Sequence, residues 1–400
     1  MTNYIFTNII KLLKSIVKDV RYDDIVIDDF EQLYEISKKH NIVCIIYESL
    51  YRNNIEIPED INNRFLHTAI SEIKYSEEQL LFVEQLQEKF NELGIKHMLI
   101  KGLVIKHLYP KPEFRKMSDL DILIDYSQCN DITKAMLALK CSEKTLTNHE
   151  WIWLSPKNVY IELHQKMIPS YVDEFYAYYK NEWDFCKIKN NYEYVMSKED
   201  FYIYIFTHYA KHYKNGGIGI VHVLDIWILK SQWSDMDFNY INNQLKKLEL
   251  EEFYYNTMKL ISAWFEDGDN TEITDIMTKF ILTSGAYGTF LNAQLSQAAK
   301  QTENLGNAKK ARQALYFQRL FLSYDRMCRL YPFLKKNKLL LPFCQIHRLV
   351  KALLFRKQEL LDIKKILDST NDEQIIKYKT NLEKVGLKYI SKNNRLENEK

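Results

Sequence analysis

Two aspartates separated by one leucine, Asp119 and Asp121 in the run Ser118-Asp119-Leu120-Asp121-Ile122-Leu123-Ile124-Asp125, are the residues of this chain best arranged for chemistry. Read as a strand, the run alternates: Leu120, Ile122 and Ile124 take one face, Asp119 and Asp121 the other. Their α-carbons then lie roughly 7 Å apart, near enough for both carboxylates to converge on one hard cation, or on a pair of cations about 3.5–4 Å apart. The alternative is the wet face of an edge strand. Aspartate is disfavoured in strands, however, and two on one face of a branched apolar run repel unless something neutralises them.

A third acid arrives on a second strand. In Val159 to His164, Ile161 and Leu163 face one way while Tyr160, Glu162 and His164 face the other. His164 is then either an orienting partner for a carboxylate or a polar strand residue beside the site. Lys101-Gly102 closes a short apolar run, as a strand-end lysine and a strand-to-helix turn would. Arg115 has Asp119 and Glu113 within reach as ion-pair partners. His208 and His212 share a helical face but lack the glutamate of a zinc-protease motif, so packing beside a cleft is the plainer reading, with the acceptor side of a site as the alternative. Asp225, a lone acid in the apolar helix Leu224-Asp225-Ile226-Trp227, reads as a structural partner or a substrate contact.

The elements that must position these groups follow from composition and periodicity. Four hundred residues imply two or three domains, and 46% apolar content supplies ample core. With only 10 glycines and 7 prolines, turns are few and helices long. A formal charge of +2 gives no global case for nucleic acid or an anionic membrane. The six cysteines form no close pair, so neither a zinc knuckle nor a disulfide framework is indicated, and a reduced, cytoplasmic setting fits best. Ile5 to Val17 alternate at helical spacing with Lys11, Lys14 and Lys18 interspersed, an amphipathic helix and not an export signal; no apolar run approaches a membrane span.

In chain order, residues 1–70 read as an N-terminal helical region, with Ile57-Pro58-Glu59-Asp60 as a helix start. A long helix is expected over roughly 72–93, striped by Leu80, Val83, Leu86, Phe90 and Leu93 and stopped by Gly94. A strand over 95–100, a helix from Leu103 to Leu108, the acidic strand, a helix over about 128–140, strands near 151–154 and 159–164 and hairpin-like strands complete an α+β core over 71–197. Residues 198–390 read as a C-terminal helical domain, with helices at 204–213, 221–229, 241–248, 253–265, 273–282, 308–330 and 343–367. Gly216-Gly217-Ile218-Gly219 is its one flexible cluster, and the last dozen residues read as frayed. The helix from Phe343 sets Arg348, Lys351, Arg356 and Lys357 opposite Ile346, Leu349, Val350 and Leu353, which reads as a solvated basic face on a packed apolar one rather than a membrane-surface helix.

Taken together, Lys101-Gly102, Arg115, Ser118-Asp119-Leu120-Asp121 and Ile161-Glu162-Leu163-His164 resemble the polymerase-β-like nucleotidyltransferases, and more narrowly the bacterial family labelled uncharacterised nucleotidyltransferase. The resemblance covers about 95–230 and extends loosely to Tyr331-Pro332-Phe333-Leu334 and Leu340-Leu341-Pro342. It implies that Asp119, Asp121 and Glu162 hold magnesium or manganese and do the catalysis, and that Lys101, Gly102, Arg115 and Ser118 meet the nucleotide. One departure is that Gly102 is followed by Leu103 where the wider superfamily has serine. Lys101 or backbone N–H groups are then the substitutes for the missing hydroxyl.

The implied activity moves a nucleoside monophosphate from a nucleoside triphosphate, ATP by preference, to a hydroxyl or phosphate of an unidentified acceptor: a small molecule, a peptide or a protein. Near-neutral charge disfavours bulk nucleic acid. The alternative is a non-catalytic nucleotide- or protein-binding module on the same fold. On charge repulsion alone, Asp121→Asn is expected to hold or raise the melting temperature.

Overall fold

A computed structural model of the chain describes residues 3–389 apart from 148, 171, 356–357, 359–360 and 362–370. The frayed end and residues Arg356 and Lys357 fall outside the described residues. The chain divides into two compact units: 1–210 with 218–286, and 211–217 with 287–400.

The first unit opens with helices α1 (Asn3–Val17), α2 (Phe30–Lys39) and α3 (Val43–Arg52), followed by α4 (Glu59–Glu92). The helix expected from about residue 72 therefore starts at Glu59 and runs on unbroken. Its first half buries Ile61, Phe65 and Ala69, and its second half buries Phe82, Val83, Leu86 and Phe90. No glycine or proline interrupts the span between these two stripes, so one helix joins the N-terminal helices to the sheet. It stops where Gly94 turns to φ +68 and Ile95 N–H donates to the Phe90 carbonyl, with both of those side chains buried together.

Beyond the stop come β1 (His97–Leu99), α5 (Gly102–Ile105), β2 (Asp119–Ile124), α6 (Cys129–Ala138), β3 (Ser142–Leu146), β4 (Glu150–Leu154) and β5 (Tyr160–His164). A short α7 (Asp173–Tyr176) precedes the hairpin β6 (Cys186–Asn190) and β7 (Glu193–Met196). The seven strands form one mixed sheet in the order β3-β4-β5-β2-β1-β7-β6. β2 is central, antiparallel to β1 and parallel to β5. The α+β nucleotidyltransferase architecture read from sequence is the one observed, with the edge strand β3 unforeseen because Ser142 to Leu146 are all exposed and carry no alternating signal.

The core lies on one face of the sheet. Leu120, Ile122 and Ile124 of β2, Ile161 and Leu163 of β5, and Trp151 and Trp153 of β4 pack against Val83, Leu86 and Phe90 of α4 and Ile132, Ala135 and Met136 of α6. Burying a large apolar side chain contributes about 1.5–3 kcal/mol, so this layer strongly specifies strand phase: a one-residue slip would exchange the isoleucines for the aspartates.

Helices α8 (Lys198–Asn215), α9 (Ile220–Gln232), α10 (Phe238–Lys247), α11 (Glu251–Phe265) and α12 (Glu272–Ser284) follow. Gly219 is not a hinge; a Cβ there would meet the Ala286 backbone at 2.7 Å, so glycine permits a close main-chain approach.

The second unit contains α13 (Phe290–Leu305), α14 (Ala308–Leu320), α15 (Tyr324–Leu330), α16 (Leu341–Phe355) and a helix over Asp372–Lys384. The single helix expected over 308–330 is broken at Phe321, and Ser323 caps the second piece by accepting from Arg326 N–H. Helix α13 and the Asp372 helix were not expected, although their caps, Thr289 with Gly306 and the Asn371–Gln374 capping box, are legible signals. Among the described residues no helix is long and apolar enough to cross a membrane.

Candidate active site

Opposite the core, the same strand phase gathers the polar groups. In the parallel β2–β5 register Asp121 faces Glu162 and Leu123 faces His164, while antiparallel pairing with β4 sets Glu150 against His164. Asp121, Glu162 and His164 offer ligand atoms within 4.8 Å of one another, and His149, Glu150 and His164 form a second such group. Asp119 belongs to neither group, although its charge acts on Glu162. Of the expected acids, Asp121 and Glu162 are thus brought together, and His164 rather than Asp119 completes the tightest cluster.

Lys101 enters this cluster from the end of β1. Its Nζ donates to Asp121 Oδ1 at 2.5 Å and lies 3.3 Å from His164 Nε2, which itself lies 2.6 Å from the same carboxylate oxygen. The ammonium reaches this point because Lys101 adopts φ 52 and ψ −127, a conformation costly for any residue but glycine. Gly102 serves packing: a Cβ there would lie 2.7 Å from Met117 Sδ. Leu103, at the position of the missing serine, is part of the core.

The electrostatics are uneven. Burial alone would raise the Asp121 pKa, but the Lys101 charge and the His164 hydrogen bond outweigh it and hold the carboxyl far below its ordinary value. Glu162 is only 3.5 Å from His164 Nε2 and feels Lys101 more weakly, so burial followed by repulsion from Asp119 and Asp121 pushes it up to about 8. Burial and the Asp121 charge likewise push Asp119 up to about 6, against Lys101 and a hydrogen bond from Ser118. His164 is pushed down to about 4, mainly by burial and then by Lys101, so its imidazole is neutral at pH 7. Tyr204 of α8 adds a buried hydroxyl that has no hydrogen-bond partner among the described residues, and both Lys101 and Asp121 act on it electrostatically.

Arg115 takes a partner that sequence proximity does not suggest. Its Nε donates to Asp225 Oδ1 at 2.7 Å and Oδ2 at 3.0 Å, Nη1 donates to the Lys116 carbonyl, and the Tyr109 hydroxyl donates to Asp225 Oδ1 at 2.7 Å. Asp225, on α9, is buried. The Arg115 charge still reaches Asp119. His208 lies beside Tyr204, ring centroids 6.5 Å apart, and neither it nor His212 joins a candidate metal group among the described residues. Glu150, His149 and Tyr204 escaped sequence reading; an imidazole followed by an acid at the entry to β4, with Glu150 paired directly with His164, is the signal for the first two.

A mixed sheet whose central strand carries an aspartate pair opposite an acid on the adjoining parallel strand is the frame of a nucleotidyltransferase. A family model described as uncharacterised nucleotidyltransferase matches residues 28–266, from just before α2 to the end of α11, and the chain belongs to that family. The match ends short of the Tyr331–Pro342 stretch. No curated protein and no solved structure matches the chain.

Proposed function

We propose that this transferase moves a nucleoside monophosphate from a nucleoside triphosphate, ATP by preference, to a hydroxyl or phosphate of a small molecule, peptide or protein, releasing pyrophosphate. The observation that carries the reading is the row Asp121–Glu162 with Asp119 on the same face, in which burial and mutual repulsion raise two of the three carboxyls more than Lys101 lowers them. Oxygen donors short of positive charge suit a hard dication. Asp119, Asp121 and Glu162 are the residues to hold magnesium or manganese, and the nearness of His164 to Asp121 and Glu162 favours manganese as an alternative to magnesium. When bound, such ions neutralise the triphosphate and steady attacking and leaving oxygens for in-line displacement.

The chain's own residues do the rest. Neutral His164 orients Asp121. Lys101 exchanges its hold on Asp121 for a triphosphate oxygen when nucleotide enters, with Gly102 and Ser118 flanking that path. Arg115, oriented by Asp225, adds positive potential on the Asp119 side. Tyr204 is available to donate to a substrate oxygen.

The Lys101–Asp121 contact is also what a non-catalytic nucleotide-binding module would retain, since an ammonium can replace a metal as counter-charge. Incubation with labelled nucleotides, magnesium and cell extract separates the two. Label on an acceptor together with pyrophosphate, both lost in Asp121→Asn, supports the transferase; nucleotide binding with neither product supports the module.

A further inference from the structure

Helix α16 turns its apolar stripe to solvent. Cys344, Gln345 and Arg348 mark the side that packs: Cys344 joins Met327, Cys328 and Leu334, Gln345 Nε2 donates to the Leu322 carbonyl at 2.6 Å, and Arg348 Nη2 donates to the Leu320 carbonyl at 2.5 Å. At 3.6 residues per turn, Phe343, Ile346, Val350, Leu353 and Leu354 fall on the opposite side, within about 100° of arc. Each of the five is between 48% and 71% exposed. The sequence reading is therefore inverted here: Ile346, Val350 and Leu353 are the outer face, because the inner face is held by a small cysteine and by side chains that bond main-chain carbonyls. From Phe343 to Leu354 the stripe extends about 17 Å, roughly three turns of the helix.

The charge around the stripe points to its occupant. Between Asp325 and Glu359 the sequence contains no acidic residue and nine lysines and arginines, in a chain whose net charge is only +2. Lys335, Lys336, Lys338 and Lys351 of this segment are exposed. We propose that the segment from Lys335 to Phe355 is a docking surface for an anionic lipid bilayer, with α16 lying in the interface, its stripe among the acyl chains and the lysines at the headgroup phosphates. A convex strip of aliphatic and aromatic side chains with cations beside it is the chemistry of interfacial helices. A second copy would bring two acid-free cationic segments together, and a nucleic acid would leave the stripe in water. The surface would hold the transferase at a membrane through an interfacial helix.

The test is sedimentation of the full-length protein with vesicles of phosphatidylcholine alone or containing phosphatidylglycerol. Binding is expected to the anionic vesicles, to weaken by about tenfold or more in high salt and on phosphatidylcholine, and to fall about fivefold in Lys351→Gln. The double variant Ile346→Asn with Leu353→Asn should lose binding by about tenfold or more with only a small change in melting temperature, because both side chains are mostly exposed. Failure to bind anionic vesicles, or binding unchanged in the double variant, would overturn the proposal. So would a dimer in lipid-free solution that the double variant dissolves, which assigns the stripe to a second copy, or equal binding of an RNA homopolymer by wild type and double variant at the affinity seen for vesicles.

Discussion

Asp121 and Glu162 face each other across the parallel β2–β5 pair, yet carry opposite perturbations: Lys101 and His164 hold one ionised, and burial with neighbouring acids keeps the other protonated up to a pKa of about 8. At neutral pH the Glu162 side therefore carries a proton that a bound cation would displace. The predictions below draw on that asymmetry and on the two buried ion pairs beside it.

Metal-free protein should lose stability as pH rises from about 6.5 to 8. Glu162 binds a proton in the folded state but not in the unfolded state between its ordinary value near 4.5 and its folded value of about 8, so stability falls with pH through that window. Below 6.5 the trend is masked, because His164, His40 and His222, each depressed to about 4, have the opposite sign and outnumber Glu162 and Asp119. Thermal melts in chelator should show the decline, Glu162→Gln should flatten it, and millimolar magnesium or manganese should reverse it. A flat profile in the wild type would contradict the raised value.

Asp121→Asn should abolish turnover and also lower the melting temperature, contrary to what charge repulsion alone implies. The Asp121 and Lys101 side chains are only 10% and 16% exposed, and removing one partner leaves a buried ammonium uncompensated, a loss of about 3 kcal/mol. Adding Lys101→Met should restore most of the stability and none of the activity. Urea titrations of the single and double variants measure both effects, and a single variant as stable as wild type would show that repulsion dominates.

Lys101→Gly should be less destabilising than Lys101→Ala, by about 1 kcal/mol. Both lose the ion pair, but only glycine relaxes the strain at φ 52 and ψ −127. The order of the two denaturation midpoints is the measurement, and the reverse order would mean that the backbone there is not strained.

Arg115→Ala should destabilise by about 3–5 kcal/mol, since it strands a buried Asp225, whereas Arg115→Met combined with Asp225→Leu should recover much of the loss. If the proposed nucleotide role holds, the rescued double variant will still bind nucleotide more weakly. Chemical denaturation and nucleotide titration of the same samples separate the two roles.

Nucleoside triphosphate should bind only with a divalent cation, because the ionised Asp119 and Asp121 otherwise face a polyanion. Calorimetry should detect no heat of binding in chelator. Equal affinity with and without the ion would exclude a metal-bridged nucleotide.

Much of the site was legible along the chain because alternation is local. The period-two runs at 118–125 and 159–164 separated Leu120, Ile122, Ile161 and Leu163 from Asp121, Glu162 and His164, and the strands are phased that way because only one face can enter the core. What tertiary structure alone decided was pairing between groups far apart in sequence. Arg115 bonds Asp225 rather than its sequence neighbours Glu113 or Asp119, Lys101 reaches Asp121 through a strained turn, and Glu150 arrives opposite His164 through the β4 register. The same holds for α16. Its sequence shows that apolar residues lie along one side but not whether that side meets protein or solvent, because a hydrophobic stripe has no preferred partner until packing elsewhere determines which face is covered.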